Sequence, residues 1–338
     1  MRALTRSFAV LAIALLSASA HAAADLPPPV GSIDFYGLGP IPRAKAAALL
    51  PFKLGEQVPR GSPKRNGDPM ARALGVSRVE FAFICCAPDG KVEAYVGIEP
   101  RGREPQGFNS APAGDVKLPA SIVEAYDKFL SLLPEAVRSG NGNEDDSQGH
   151  ALAVYPPLRE QQEKFIVFAR EHEELLRDAL ANAAEKKMRE VAADVLGYAP
   201  DKRTVVEPLT RAARDPEKVV RNNATRALGV IADYAAAHPE LGIRIDPAPF
   251  IEMLNSVVWT DRNKGSFVLM SLSATRDPAL LATLRRDALP ALTDMCGWSN
   301  LGHAASACLM LQRALGLADD LGEQNRALAL KRARQILE

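Results

Sequence analysis

A pattern of four residues that occurs twice at a fixed distance constrains this chain most. The second copy follows the first after 32 residues, and all four residue types are identical. A repeat at fixed spacing is typical of an array of stacked units rather than of a domain closed around one core. Each unit then buries its apolar face only against its neighbours, so several units have to stack. The matching residues are Arg189, Ala192, Leu196 and Gly197 in the first copy and Arg221, Ala224, Leu228 and Gly229 in the second.

The second copy contains two apolar runs with helical spacing, one within residues 205–213 and one within residues 219–231. Between them, Asp215 is suited to cap the second helix, and Pro216 is suited to its first turn, where no amide donor is needed. The glycine that closes each copy can end a helix or lie where two helices pack closely. The sequence therefore predicts pairs of amphipathic helices joined by short turns.

The stretch from Asp215 to Gly229 resembles the HEAT repeat, in the short variety that also occurs in phycobilisome lyases. The resemblance lies in a DP turn, then Val-Arg, then Ala-x-x-Ala-Leu-Gly. It implies an α-solenoid of HEAT-like helix pairs, which we place at residues 158–338. Later units lose the signature residues, and we expect them at 250–261 with 267–272, a second DP turn at 277–278, and a final pair at 288–295 and 303–315.

Asp215 and Arg221 admit two interpretations. They could form a charged ladder that grips a partner, or a capping Asp and an Arg that tie neighbouring repeats together. The general behaviour of such arrays favours the second interpretation. The residues that we assign to the structure of the repeat are Arg189, Leu196, Gly197, Asp215, Pro216, Leu228 and Gly229.

The N-terminus has the pattern of a secretory signal peptide. Arg2 and Arg6 precede an apolar run over 8–16, and small residues follow it. The run is much shorter than the roughly 20 residues that a membrane-spanning helix needs, which argues against an uncleaved anchor. We predict a signal peptide over 1–24 with cleavage after Ala22 or Ala24, and a periplasmic or secreted mature protein without a membrane span.

The overall charge gives no reason to expect nucleic acid or an anionic membrane as a partner. The chain has 41 basic and 41 acidic residues, and the basic ones form no concentrated stripe. Binding to either polyanion needs such a basic face.

The four cysteines do not form a disulfide-dense pattern, although export would permit disulfides. Cys85 and Cys86 are adjacent, so in a strand they would point to opposite faces. A bridge between Cys296 and Cys308 stays open. Packed thiols are the expected state, because free cysteine behaves as a small buried hydrophobic residue.

The N-terminal part contains alternating and helical patterns that predict a small α/β domain at residues 25–105. A Pro-Asp-Gly turn at 88–90 joins two alternating runs into a hairpin. The predicted order is strand, helix, helix, strand, strand, at residues 33–35, 41–50, 68–74, 79–85 and 92–98.

This order, opened by the sequence IDFYGLGPIPRAKAAALLPFKLGEQVP, resembles the POTRA domain. The resemblance implies a module that binds polypeptide, sometimes by adding a strand of the client to an exposed sheet edge. The candidate edge is 79–84, with Val79, Phe81 and Phe83 as contact residues. The chain departs from the pattern because a single module precedes helices, so a role as an outer-membrane insertase is not implied.

The middle stretch, 106–157, is predicted to be a linker with one amphipathic helix and an acidic loop. The helix covers 122–133 and ends near Pro134. The loop over 139–150 starts like a calcium loop but lacks the glycine and the final acidic residue, so a solvated loop is favoured. A long helix over 165–180 then leads into the repeats, with His172 on its apolar side.

No catalytic motif occurs in the sequence, and we expect neither an enzyme nor a cofactor. Cys296, His303 and Cys308 fit no zinc spacing. The alternative is an envelope enzyme or metal-dependent factor that uses His150 with Asp145 and Asp146, the remaining residues with acid-base potential.

We therefore expect an exported, non-catalytic scaffold or adaptor of the cell envelope that binds protein or peptide. Contact would be made by the sheet edge, by one face of the repeat helices, or by both. The predicted contact residues on the helices are Arg221, Asn222, Thr225 and Arg226.

Overall fold

The structure is a computed structural model that describes residues 28–58, 63–85, 87, 89–102 and 107–338. The predicted signal peptide, Cys86 and the turn residue Pro88 lie outside these residues. Contacts divide the described chain into two compact units, one of residues 107–249 and one that joins the described residues before 103 to residues 250–338. The predicted domains follow one another along the sequence, whereas these contacts group the N-terminal strands with the C-terminal helices.

The N-terminal elements have the predicted order of strand, helix, helix, strand, strand. Strand β3 is central, with β1 parallel on one side and β2 antiparallel on the other. Strand β2, the first strand of the hairpin, therefore lies at an edge of the sheet, as expected for residues 79–84. The elements are β1 Val30–Tyr36, α1 Arg43–Ala48, α2 Pro63–Leu74, β2 Arg78–Ile84 and β3 Val92–Glu99.

The next elements differ from the prediction in three places. The first helix continues through Pro134, and the buried Ala136 packs beyond it. The expected loop includes a short antiparallel β pair. The expected long helix is two helices, because His172 has a φ of −127° and separates them. The elements are α3 Ala120–Arg138, β4 Glu144–Asp145, β5 Leu152–Ala153, α4 Pro156–Glu171 and α5 Glu173–Asn182.

The predicted repeat is present as two helix pairs, α5 with α6 and α7 with α8. Asp201 caps α7 by accepting a hydrogen bond from the Arg203 amide at 3.0 Å. Gly197 lies at a close approach, because a Cβ there would be 2.8 Å from the Cβ of Ala227. The glycine in the repeat pattern therefore permits packing between helices. The remaining helices of this unit are α6 Lys186–Val195, α7 Lys202–Ala212 and α8 Lys218–Ala237.

The C-terminal part is also helical, with one change of boundary. The helix expected over 250–261 ends at Leu254, and its partner begins already at Trp259. Among the residues that the structure describes, no helix combines the length and apolar character needed to cross a bilayer. The helices are α9 Ala248–Leu254, α10 Trp259–Leu272, α11 Pro278–Asp287, α12 Leu289–Cys296, α13 Leu301–Ala314 and α14 Glu323–Leu337.

The expectation of packed thiols is wrong for Cys296 and Cys308, which form a disulfide between α12 and α13. Their Cα atoms are 4.6 Å apart, within the range that a disulfide spans. The sequence argument placed Cys308 too far past the turn, but the two helices pack closely enough to bring it to the end of α12. Cys85 also belongs to a disulfide.

Both faces of the N-terminal sheet are covered within its own unit. On one face, Phe81 and Phe83 contact Phe52 in an apolar core under α1 and α2. On the other face, the Tyr36 hydroxyl donates to the Val257 carbonyl at 2.8 Å. The Ser299 amide and hydroxyl both donate to the carboxylate of Asp34, at 2.8 and 3.1 Å, so polar groups as well as apolar ones fix this face.

Candidate functional site

The charged residues of the repeat pattern form a buried tie between the two helix pairs. Arg189 on α6 donates to both carboxylate oxygens of Asp215 at 2.8 and 3.2 Å, and both side chains are buried. Asp215 also accepts from the Glu217 amide at 2.8 Å, at the start of α8. An arginine thus ties the two pairs together, as the structural interpretation expects. The predicted cap is displaced, because Glu217 is the N-cap of α8 and both Asp215 and Pro216 lie before the helix.

Arg221 repeats the same geometry one unit later, and this makes it unsuitable as a surface contact. It donates to the carbonyls of Asp215 and Pro216, as Arg189 does to those of Ala183 and Ala184. Only 2 % of Arg221 is exposed, and its guanidinium lies 4.3 Å from the centre of the Phe108 ring. Its predicted place on an open face is thus corrected, because the side chain holds the turn before its own helix.

The other predicted contact residues of α8 also face the protein's own chain. Thr225 is fully buried. Arg226 donates to both carboxylate oxygens of Glu144 in β4 at 2.5 and 2.6 Å, and Asn222 donates to Asn223 at 3.2 Å. The segment before the repeats therefore covers this face of α8, which is a packing face.

A third arginine, which the sequence did not lead us to predict, binds the turn before its own helix in the same way. Arg262 is the fourth residue of α10, as Arg189 and Arg221 are the fourth residues of their helices. It is buried, and it donates to the carbonyl of Ser256 at 2.5 Å, six residues earlier, which is the spacing that the other two arginines use. The feature of the sequence that could have predicted this role is an arginine near the start of a helix and shortly after a turn.

The predicted sheet-edge residues have their side chains in the core of the sheet. Val79 and Phe81 are each 3 % exposed, and Phe83 is partly buried in the same apolar cluster. Any contact through β2 would therefore use its backbone rather than these side chains.

The residues of the alternative hypothesis lie around the short β pair. Burial, together with the nearby Lys202, lowers the pKa of His150 to about 4, and the ring centre lies 5.5 Å from that of Tyr198. The carboxylate of Asp145 accepts a hydrogen bond from the Ser147 amide at 3.1 Å, and bonding to Ser147 lowers its pKa. Asp146 is exposed. Among the described residues, no cluster of His, Cys, Asp and Glu side chains could hold a metal.

A buried carboxyl group lies on the covered side of the repeat. Burial raises the pKa of Asp194 on α6 to about 6, and the guanidinium of Arg226 acts in the opposite direction. Glu144 and Glu190 add to the rise because they carry the same charge.

Residues 107–118, which we call the strap, bind across the turns of both helix pairs through backbone hydrogen bonds. The amide of Gly114 donates to the Asn182 carbonyl at 2.8 Å, and the amide of Asn109 donates to the Arg214 carbonyl at 2.7 Å. The two acceptors are 32 residues apart, which is the spacing of the repeat. The Ala184 amide also donates to Gly114 at 2.7 Å.

A groove of about 430 Å³ lies between the strap and the first helices of the two pairs. Its volume is in the range of roughly 300 to 1,000 Å³ that is usual for binding sites. Its lining combines apolar and charged side chains. The lining residues are Asn109, Ser110, Pro112, Glu174, Arg177, Asp178, Leu180, Ala181, Asn182, Pro208, Arg211, Ala212 and Asp215.

The two arginines of the groove pair with acids outside its lining. Arg211 lies 2.9 Å from both carboxylate oxygens of Glu207, and Arg177 lies 3.9 Å from Glu173. Glu174 and Asp178 are exposed. Among the described residues no cationic side chain pairs with either, and Asp178 accepts only from the side-chain amide of Asn182, at 2.7 Å. The groove therefore presents two carboxylates that form no ion pair, beside two arginines that are paired with other acids.

Comparison with known proteins agrees with the helix-pair geometry. The family model of HEAT repeats matches residues 173–248, which begin with α5 and include both helix pairs. These residues are HEAT-like repeats. HEAT repeats commonly mediate protein–protein interaction. The chain matches no curated protein sequence.

Proposed function

We propose that the protein is an exported, non-catalytic scaffold of the cell envelope whose HEAT-like repeats bind extended polypeptide. The observation that carries this proposal is the strap. This non-helical segment is bound through its backbone, because the amides of Asn109 and Gly114 donate to carbonyls at the ends of successive repeat turns. Carbonyls at repeating positions can accept bonds from any polypeptide, so the repeat surface is chemically suited to this class of partner.

Two further features support the envelope as the compartment. The N-terminal sequence has the pattern of a signal peptide, and the Cys296–Cys308 disulfide is of a kind that persists in oxidising compartments and is rare in the cytosol. The sheet would add a second binding mode if it is a POTRA-like module, because β2 is an edge strand.

Site-specific cross-linking tests the function. Ala181 is exposed and lines the groove, so a photo-reactive residue at this position reports on whatever enters the groove. Lys128 on α3 is exposed and lies outside the lining, which makes it the matched control. With the full chain in the cells that produce it, we expect polypeptide adducts from position 181 and none from position 128. Adducts at neither position, or equally at both, would overturn the proposal.

N-terminal sequencing of the purified protein tests the location. Cleavage after Ala22 or Ala24 is the expected result. An intact Met1 would contradict export with cleavage.

A further inference from the structure

We infer that the groove between α5 and α7 takes a basic side chain, lysine or arginine, from an extended polypeptide. This inference rests on the proposed function and specifies its ligand chemistry. It starts from a difference among the charged side chains that line the groove: the arginines form ion pairs, whereas two of the carboxylates do not.

The charge pattern favours a cation over an anion. Each arginine of the groove already has an acid four residues earlier on its own helix, Glu173 for Arg177 and Glu207 for Arg211. An incoming carboxylate would have to compete with these acids. An incoming cation would find Glu174 and Asp178 without a cationic partner in the described chain. Hydrogen bonds between a guanidinium or ammonium group and a carboxylate are among the stronger ones in proteins.

The apolar part of the lining fits the rest of such a side chain. Ala181 and Pro208 supply accessible aliphatic surface in the same lining as the two carboxylates, and the buried Leu180 and Ala212 lie in this lining as well. Lysine and arginine place their methylene stems on apolar surface while the charged head reaches polar groups. A short acidic or polar residue would leave this surface uncovered, so the lining selects a long basic residue.

The strap explains why the partner is an extended chain rather than a free amine. Its backbone amides bind the carbonyls of the repeat turns, and its residues Asn109, Ser110 and Pro112 form one wall of the groove. A second extended segment that reaches this wall can present one side chain between α5 and α7. The strap contributes no cation to the lining, and the basic residue therefore comes from the partner.

Two matched peptides test the inference by fluorescence anisotropy with the full chain. The probe is a labelled ten-residue peptide of alanine and serine with one central arginine, and its control carries citrulline, which has the same shape without the charge. We expect the arginine peptide to bind roughly ten-fold more tightly, as one charge-assisted contact would give. The preference should shrink as salt is raised from 50 to 300 mM, because the carboxylates are exposed.

Charge-removing variants connect the preference to the groove. In the double variant Glu174→Gln with Asp178→Asn, the two peptides should bind equally. Glu124→Gln removes an exposed acid of α3 outside the lining, and this control should keep the full preference. Glu207→Gln releases Arg211 toward the groove and should reduce the preference, although no lining acid is removed.

The possible failures can be told apart. Equal binding of both peptides to the unaltered chain, or a preference that survives in the double variant, overturns the basic-residue inference while the scaffold proposal stands. If neither peptide binds and position 181 also gives no adducts, both proposals fall.

Discussion

The face of α8 and the groove between α5 and α7 belong to the same two helix pairs, but they differ in whether their charged side chains are bound by other groups of the protein. On α8, Arg221 and Arg226 are satisfied by the protein's own carbonyls and by Glu144. In the groove, Glu174 and Asp178 are exposed and have no cationic partner among the described residues. The arginines of α8 thus serve the packing of the repeat, whereas the two carboxylates on which our binding proposal rests, Glu174 and Asp178, lie outside the repeat pattern.

Among our tests of this difference, breaking the buried ion pair between Arg189 and Asp215 should have the largest effect on stability. Asp215→Ala leaves the guanidinium of Arg189 buried without its carboxylate. Removing one partner of a buried ion pair costs about 3–5 kcal/mol, and we expect the free energy of unfolding to fall by this amount. Urea titration followed by circular dichroism measures it. Glu163→Ala, which breaks the exposed pair with Arg159, is the control and should cost less than about 1 kcal/mol. An equal loss of unfolding free energy in both variants would contradict a special structural role of the buried ion pair.

The covered face of α8 gives the next largest effect. Arg226→Met removes the guanidinium from the carboxylate of Glu144, whose side chain is only 9 % exposed, and leaves it a hydrogen bond from Gln162. A partly buried carboxylate without its counter-charge should lower the free energy of unfolding by about 2–3 kcal/mol. Hydrogen exchange should speed up at the amides of Leu152 and Ala153 in the adjacent β pair.

A conservative variant sharpens this test. Arg226→Lys keeps the charge but cannot bind both carboxylate oxygens in the fixed geometry of a guanidinium, so its loss should be intermediate. Neither variant should change the preference for the arginine peptide. A change in that preference would mean that the α8 face and the groove are not independent.

For the buried carboxyl group of Asp194 we predict that a substitution increases the free energy of unfolding instead of lowering it. Its pKa is raised from 3.8 to about 6 by burial, so the folded state holds the proton more tightly than the unfolded state. This carboxyl costs no stability below about pH 4, and the cost grows as pH rises toward 6 and is complete above it. Asp194→Asn should therefore increase the free energy of unfolding at pH 7 by about 1–2 kcal/mol.

The pH dependence identifies the cause of that gain. The difference in unfolding free energy between the unaltered chain and Asp194→Asn should be small at pH 4 and should develop between pH 4 and 6. A difference that stays constant with pH would assign the effect to packing rather than to the buried charge.

The sequence predicted the helix pairs because the residues of the pattern have structural roles that recur in each unit. Asp215 binds Arg189 of the preceding pair, and Gly197 packs against Ala227 of the next one, so the same residue types return at the spacing of the repeat. The strap could not be predicted beyond being a linker. Its hydrogen bonds use backbone groups, which every residue except proline supplies, so they leave no pattern of side chains.

The covered α8 face could not be predicted for a different reason. Glu144 and Arg226 are 82 residues apart in the chain, and a polar residue on a helix has the same appearance in sequence whether water or a carboxylate faces it. The pairing of the groove residues was equally hidden. The two arginines and their acids are ordinary exposed i,i+4 pairs, and only the geometry separates them from the acids that line the groove.

His150→Ala has the smallest expected effect and separates the scaffold from the enzyme hypothesis. The change removes the ring contact with Tyr198, so the free energy of unfolding at pH 7 should fall by about 0.5–1 kcal/mol. Burial lowers the pKa of His150 from 6.5 to about 4, so the unfolded state binds a proton first as pH falls through 6.5, and the unaltered chain loses stability down to pH 4. The alanine variant lacks this loss, and the difference in unfolding free energy between the two proteins should shrink or reverse at pH 4.

Cross-linking through position 181 and the preference for the arginine peptide should both be unchanged in His150→Ala. If the variant keeps its stability but loses its function in cells, His150 takes part in chemistry, and the groove would no longer be the main site of the molecule.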